Sequence, residues 1–339
     1  MLPLPLKLKG APGSPYTRKM MAVLRYRHIP FELLIGDQAA KAGMPEAKVS
    51  LLPTFYLPDE RGELEAVVDS TPLIRRFEDA FEGRHIIPPD PALAFINYLI
   101  EDYGDEWLTK AMFHYRWYYP ADIEMAAKIL PRWTNISMSD ENLVKMSKFI
   151  AERQISRLYV VGSNDITAPV IEDSYRRFLA IIDKLIQQHP FTMGERPGSG
   201  DFALYAQLTQ LAKFDPTPAA ICLAQAPRVH AWTDVVDDLS GCPAADDGWT
   251  DIEDAAYLQD LLTEVGRVYV PALLANAAAM NKGEKEMWTT IDGRPWKQPV
   301  FGYQAKCLQW IRQEYVRLED HQRAQVDALL AGTGCEALF

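Results

Sequence analysis

The sequence predicts an α/β N-terminal domain, an all-α second domain and a long C-terminal extension of helices and one β-hairpin. Three observations carry this. Strand-like and helix-like runs alternate over residues 1–85, helical periodicity dominates beyond them, and Asp292-Gly293 sits between two β-prone runs late in the chain. The expected boundaries are 1–85, 90–230 and 231–339.

"LPLKLKG" predicts the first strand. The first helix follows over 15–27: Ser14 is a preferred N-cap residue, Pro15 suits the first helical position, and Met20, Val23 and Leu24 recur at helical spacing before Pro30 ends the run. "FELLI" reads as a strand, "AAKAGMPEAKVSLLP" as a loop, "TFYLP" and "LEAVVD" as strands joined by the turn "DERG", and Ser70 opens a helix to about Glu82. The order is βαβ followed by ββα, the layout of small thioredoxin-like domains, with the hairpin adding an antiparallel edge to an otherwise parallel sheet. The extension reads as helix over "DIEDAAYLQDLLTEVGRVYVPALLANAAAM", a hairpin in "MWTTIDGRPWKQ", then helix again. Trp288, Trp296, Phe301, Tyr303 and Trp310 form an apolar set too large to leave exposed, so the extension is expected to pack on the helical domain.

A formal charge of -11 without a basic stripe argues against nucleic acid or anionic membrane as partner, since both need clustered Lys and Arg. The opening "MLPLPLKLKG" is too short and Pro-broken for a signal peptide, and no apolar run is long enough for a membrane span, so a cytoplasmic location is expected. Cys222, Cys242, Cys307 and Cys335 form no C-x-x-C pair and read as free thiols. Glu101, Asp102, Asp105 and Glu106 lack the acidic-x-x-His partners of a two-metal site and are expected to form a solvated or partner-facing patch; no metal is expected. The lone "GSG" at 198–200 lacks the rest of a phosphate-loop fingerprint.

Ser14-Pro15, Leu52-Pro53 and Asp69-Ser70, in this order and at these separations, make the chain resemble a serine-type cytosolic glutathione transferase. "GERPGSGDFALYAQL" resembles that family's helix-start motif in the all-helical domain, with Gly198 where the family has a hydroxyl residue three before the Asp. The resemblance implies an enzyme with glutathione as co-substrate. Ser14 would stabilise its thiolate, the backbone of Leu52 beside a cis Pro53 would pair with the cysteinyl part, and Asp69 and Ser70 would hold the γ-glutamyl group. The Ser14 hydroxyl can also serve only as a helix cap, and Tyr16 offers a second hydroxyl nearby. An electrophilic small molecule would lie against the helical domain, where Tyr16, Tyr103, Trp107 and His114 are the candidate pocket residues, although such an aromatic face also suits a core. The family also implies a homodimer, with the aromatic, acidic helix after residue 94 in the interface unless the extension covers it. The alternative is a non-catalytic binding or scaffold protein of the same fold.

Overall fold

The computed structural model describes residues 2–244 and 248–339. The N-terminal domain runs β1 (Leu6–Lys9), α1 (Pro15–Tyr26), β2 (Phe31–Leu34), a single helical turn α2 (Gln38–Lys41), β3 (Thr54–Pro58), β4 (Leu64–Val67) and α3 (Ser70–Ala80). The sheet order is β2-β1-β3-β4. Only β1 and β2 are parallel; β3 is antiparallel to both β1 and β4, so two of the three strand pairings are antiparallel rather than one at the edge. The chain returns through the long 35–53 loop without a crossover helix of useful length, and that connection lets β3 enter antiparallel beside β1. The predicted "DERG" turn forms: the Asp59 carboxylate accepts the Arg61 and Glu63 amides, and Gly62 supplies a φ of 82°.

The helical domain comprises α4 (Pro91–Glu106), α5 (Leu108–Tyr118), α6 (Pro120–Thr134), α7 (Asp140–Ile155), α8 (Ala168–Leu185), α9 (Ser199–Leu211), α10 (Pro216–Gln225) and α11 (Pro227–Asp237). The last helix crosses the expected boundary at residue 231. Every side chain of α9 is buried, and it packs on both α1 and α4, which makes it the helix that joins the two domains. At its start, Asp201 accepts the Gly198 and Thr192 amides at 2.8 Å each, the acidic half of a capping box. The hydroxyl half is absent for a steric reason: a Cβ on Gly198 would stand 2.3 Å from Asn97 Oδ1 and 2.8 Å from Met193 Cγ. Asn97 cannot yield easily, because it also accepts the Gly200 amide and donates to Ser199 Oγ.

The extension holds α12 (Gln259–Glu264), α13 (Val270–Asn281), the hairpin β5 (Glu286–Ile291) and β6 (Arg294–Pro299), α14 (Gly302–Arg317) and α15 (Asp320–Leu330). The hairpin turns at Asp292-Gly293, both at positive φ, as the sequence predicts. α12 packs on α8, and α14 and α15 pack on α4. The aromatic set divides. Trp296 is fully buried, but Trp288 is 61% exposed, because the strand alternation that turns Met287 and Ile291 inward turns Trp288 outward, where Lys297 covers its ring at 4.7 Å. Among the described residues no helix is long and apolar enough to cross a membrane, and the four cysteines are unpaired.

The Gly198 contact gives a sign that local propensity would get wrong. Gly198→Ser adds a good cap, yet the overpacked Cβ should outweigh it and destabilise the fold by about 1–3 kcal/mol in chemical denaturation. A gain in stability would show that Asn97 moves aside.

Candidate functional site

Ser14 takes extended backbone angles at the start of α1, and its Oγ accepts the Thr17 amide at 3.2 Å. The same hydroxyl donates to the Leu52 carbonyl at 3.1 Å, beside the cis Leu52-Pro53 bond. The cap therefore uses an oxygen lone pair, while the proton goes across to the cis-proline loop. The turn before Ser14 is held from the helical domain. Arg116 donates to the Gly13 carbonyl at 3.0 Å and Gln210 to that of Pro12 at 3.2 Å, and the guanidinium is itself anchored on Asp215 at 2.9 Å.

Asp69 stands immediately before α3 at φ 86°, a conformation that non-glycine residues rarely adopt, and its carboxylate does not cap the helix. It accepts instead from the hydroxyl of Tyr303, at the start of α14, at 2.8 Å. Ser70 is buried at the first turn of α3, and its Oγ accepts from Lys19 at 3.2 Å. Lys19, on α1, is fully buried and pairs with Glu101 at 2.7 Å and Asp105 at 2.6 Å, both on α4. Burial alone would lower its pKa; Asp105 and Glu101 outweigh that and hold the ammonium above its ordinary range. Ser14, the cis-proline loop, Asp69 and Ser70 thus gather along the edge where α1, β3 and α3 begin.

Three of the four candidate pocket residues lie in the core. Tyr103, Trp107 and His114 are interior, each less than 3% exposed. Trp107 lies tilted against Trp296 at 5.4 Å between ring centroids and donates to Ser174, and His114 bonds to Ser163 and Glu172. The face they share is core because α8 and the extension's hairpin close over it, so these three line no pocket. Tyr16 is partly buried, and its hydroxyl donates to the Asp105 carbonyl at 2.7 Å, a link between the domains.

The acidic patch is also corrected: Glu101, Asp102 and Asp105 are buried, and Glu106 is partly so. Asp102 accepts from Tyr269 at 2.5 Å. Burial pushes the Glu106 carboxyl up to about 8, with Asp102 and Asp105 adding to it, and burial pushes Asp102 up to about 7. Sequence reasoning missed Lys19, the burial of these acids and Tyr303. A lysine in the apolar stripe of α1, beside Met20 and Val23, was the available signal. A cavity of about 820 Å³ opens elsewhere, between α3, α4 and the extension, lined by Arg75, Tyr98, Arg196, Trp249 and Glu314 among others and by none of Ser14, Leu52, Pro53, Asp69 or Ser70. Among the described residues no group of His, Cys, Asp and Glu is arranged to hold a metal.

The family description "Glutathione S-transferase, N-terminal domain" matches residues 8–85, and "Glutathione S-transferase, C-terminal domain" matches residues 150–234. Similar solved structures include a glutathione transferase family member from Pseudomonas fluorescens with two glutathione bound, at 16% identity over 68% of this chain and 86% of that one, TM-score 0.41. The Tau class glutathione S-transferase of mango, Mangifera indica, matches at 19% identity over 76% of this chain and 97% of that one, TM-score 0.39. A glutathione S-transferase from Methylobacterium radiotolerans in complex with glutathione sulfonate matches at 19% identity over 73% and 98%, TM-score 0.37. No curated protein matches.

The raised carboxyl values set a pH dependence. Folded values above the unfolded ones stabilise fully only below the unfolded pKa, roughly pH 4, and the contribution is lost as pH rises through about 7 and 8. Glu106→Gln should therefore flatten the fall in stability between pH 5 and 8, by up to about 1 kcal/mol per pH unit, in denaturant titrations at stepped pH. Parallel curves for the two proteins would mean that Glu106 titrates as it does in water.

Proposed function

This chain belongs to the glutathione transferase superfamily, and we propose that it binds glutathione along Ser14, Leu52, Pro53, Asp69 and Ser70, stabilises the thiolate with Ser14 and delivers it to an electrophilic small molecule. The observation that carries this reading is the Ser14 hydroxyl, placed at the amino end of α1 and bonded to Leu52 beside the cis peptide. A free thiol is mostly protonated at neutral pH, and only the thiolate is a good nucleophile. The start of α1 offers roughly half a positive charge, and the serine hydroxyl adds one donor; both favour the anion.

The hydrogen bonding supplies a sequence of events. When the cysteinyl amide of glutathione donates to the Leu52 carbonyl, that acceptor no longer depends on Ser14, and the serine proton turns to the sulfur. The thiol proton leaves to solvent. The thiolate then forms a carbon–sulfur bond as the leaving group departs with its electron pair. Asp69 receives the α-ammonium of the γ-glutamyl group, and Ser70 with the amides opening α3 receives its carboxylate. Lys19 donates to Ser70 Oγ, so the serine's own proton stays available to that carboxylate.

One observation favours the non-catalytic reading: α14 and α15 of the extension lie against α4, on the helical domain where the second substrate is expected. The same burial bears on assembly. α4, the helix on which the homodimer expectation rests, is covered within its own chain, which supports a monomer. The unpaired cysteines suit a reducing, cytoplasmic compartment.

Ser14→Gly keeps most of the capping free energy and removes the hydroxyl. The variant should fold and bind glutathione, while the pKa of the bound thiol rises toward its solution value and turnover falls. An unchanged bound-thiol pKa, followed by thiolate absorbance, would take Ser14 out of the chemistry and leave it a cap. Sedimentation at micromolar concentration should give a single species of 38.3 kDa; a species of twice that mass would restore the homodimer.

A further inference from the structure

We propose that Tyr303, carried by the extension, is a positioning residue of the glutathione site, orienting the Asp69 carboxylate toward the α-ammonium of the γ-glutamyl group. The proposal rests on the glutathione-binding reading above. Three features of the structure lead to it.

First, Asp69 is not a structural cap. It occupies the position before α3, yet its side chain makes no capping bond, and its backbone holds φ 86°. Among the described residues its carboxylate accepts one hydrogen bond, from the Tyr303 hydroxyl at 2.8 Å to Oδ2. Second, the tyrosine is itself fixed. Asn276 on α13 accepts the Phe301 amide at 2.8 Å and donates to the Phe301 carbonyl at 2.9 Å, pinning the start of α14. The Tyr303 ring packs edge-on against Trp310 at 5.8 Å. Farther along α14, Glu314 pairs with Arg75 of α3 at 3.1 Å, so α14 touches both the start and the middle of the helix that Asp69 precedes. Third, the chemistry of the contact suits orientation rather than neutralisation. A phenol donates one proton to one carboxylate oxygen and keeps that proton, and burial, followed by the charge of Asp69, pushes its pKa further above the ordinary range. The carboxylate therefore takes no proton from the phenol, and Oδ1 remains for the ammonium. A lysine or arginine in the same place would compete with the ligand's own cation.

The extension thus supplies a side chain to a site that otherwise belongs to the N-terminal domain, across 234 positions of sequence. Tyr303→Phe in the full chain removes the donor and keeps the ring against Trp310. Calorimetric titration with glutathione and with its analogue lacking the α-amino group, glutaryl-cysteinyl-glycine, provides the test. Tyr303→Phe should weaken glutathione binding roughly three- to tenfold and leave the analogue's affinity unchanged, because one hydrogen bond to a charged group is lost only where the ammonium uses that charge. The bound-thiol pKa should not move, since Ser14 acts at the other end of the ligand. Equal losses for both compounds, or no loss for either, would make Tyr303 a packing residue and overturn the proposal. Tighter glutathione binding by Tyr303→Phe would also overturn it, by making the contact a latch over Asp69. If wild type binds neither compound at millimolar concentration, the glutathione reading itself falls, an outcome distinct from a wild type that binds both and a variant that does not discriminate.

Discussion

The buried ammonium of Lys19 is the interaction on which the arrangement depends. It leaves α1 in the N-terminal domain, meets Glu101 and Asp105 on α4 in the helical domain, and touches Ser70 at the start of α3. Glu101 carries the link onward, accepting from Thr71 at 2.9 Å and from Ser199, the first residue of α9, at 2.6 Å. Two charged groups withdrawn from water gain little net stability, but removing one member leaves the others uncompensated at roughly 3–5 kcal/mol. The cluster therefore acts as a register. Only one docking of α1 on α4 satisfies all of it, and that docking also sets where Ser70 lies relative to Ser14.

The register leaves a surplus of negative charge. Asp102 and Glu106 lie on the same helix as the two partners of Lys19, and among the described residues no ammonium stands at ion-pair distance from either. Here α14 and α15 pack on α4, Tyr269 donates to Asp102, and burial raises the pKa of both acids. The extension thus meets both α4, through α14, α15 and Tyr269, and the start of α3, through Tyr303 and Asp69.

What the sequence made legible was local. The α1 cap, the "DERG" turn and the Asp292-Gly293 hairpin each depend on neighbours within a few residues, where turn chemistry and periodicity act. The grouping of Ser14, Leu52-Pro53 and Asp69-Ser70 was legible only through family resemblance, since no local rule brings residues 14 and 52 together. Lys19 and Glu101 were not legible as partners, because a charged side chain reads as solvated until the opposing helix is known. Tyr103, Trp107 and His114 were correctly placed on a common face, but a periodic pattern cannot say whether an aromatic face meets a ligand or another helix. Trp288 failed for the complementary reason: counting aromatic residues ignores the two-residue alternation that sends every second side chain of a hairpin to solvent.

The same distinction between local and distant constraint explains how one serine can cap a helix and still hold the proton that the proposed chemistry needs. The lone pairs of Ser14 belong to the local structure, where they accept from Thr17 and start α1. Its proton belongs to a tertiary contact, the Leu52 carbonyl across the cis-proline loop. A helix cap needs only the acceptor, so the donor can change partner without disturbing the helix. Leu52 can release that proton at no loss when another N–H takes its place, which a peptide lying along the loop would provide. The cap and the proposed thiolate contact therefore draw on different parts of the same hydroxyl and do not compete. The helix that the cap starts is also the one whose dipole favours an anion at its amino end and whose Lys19 ties the two domains together, so the cap, the dipole and the domain contact all belong to α1.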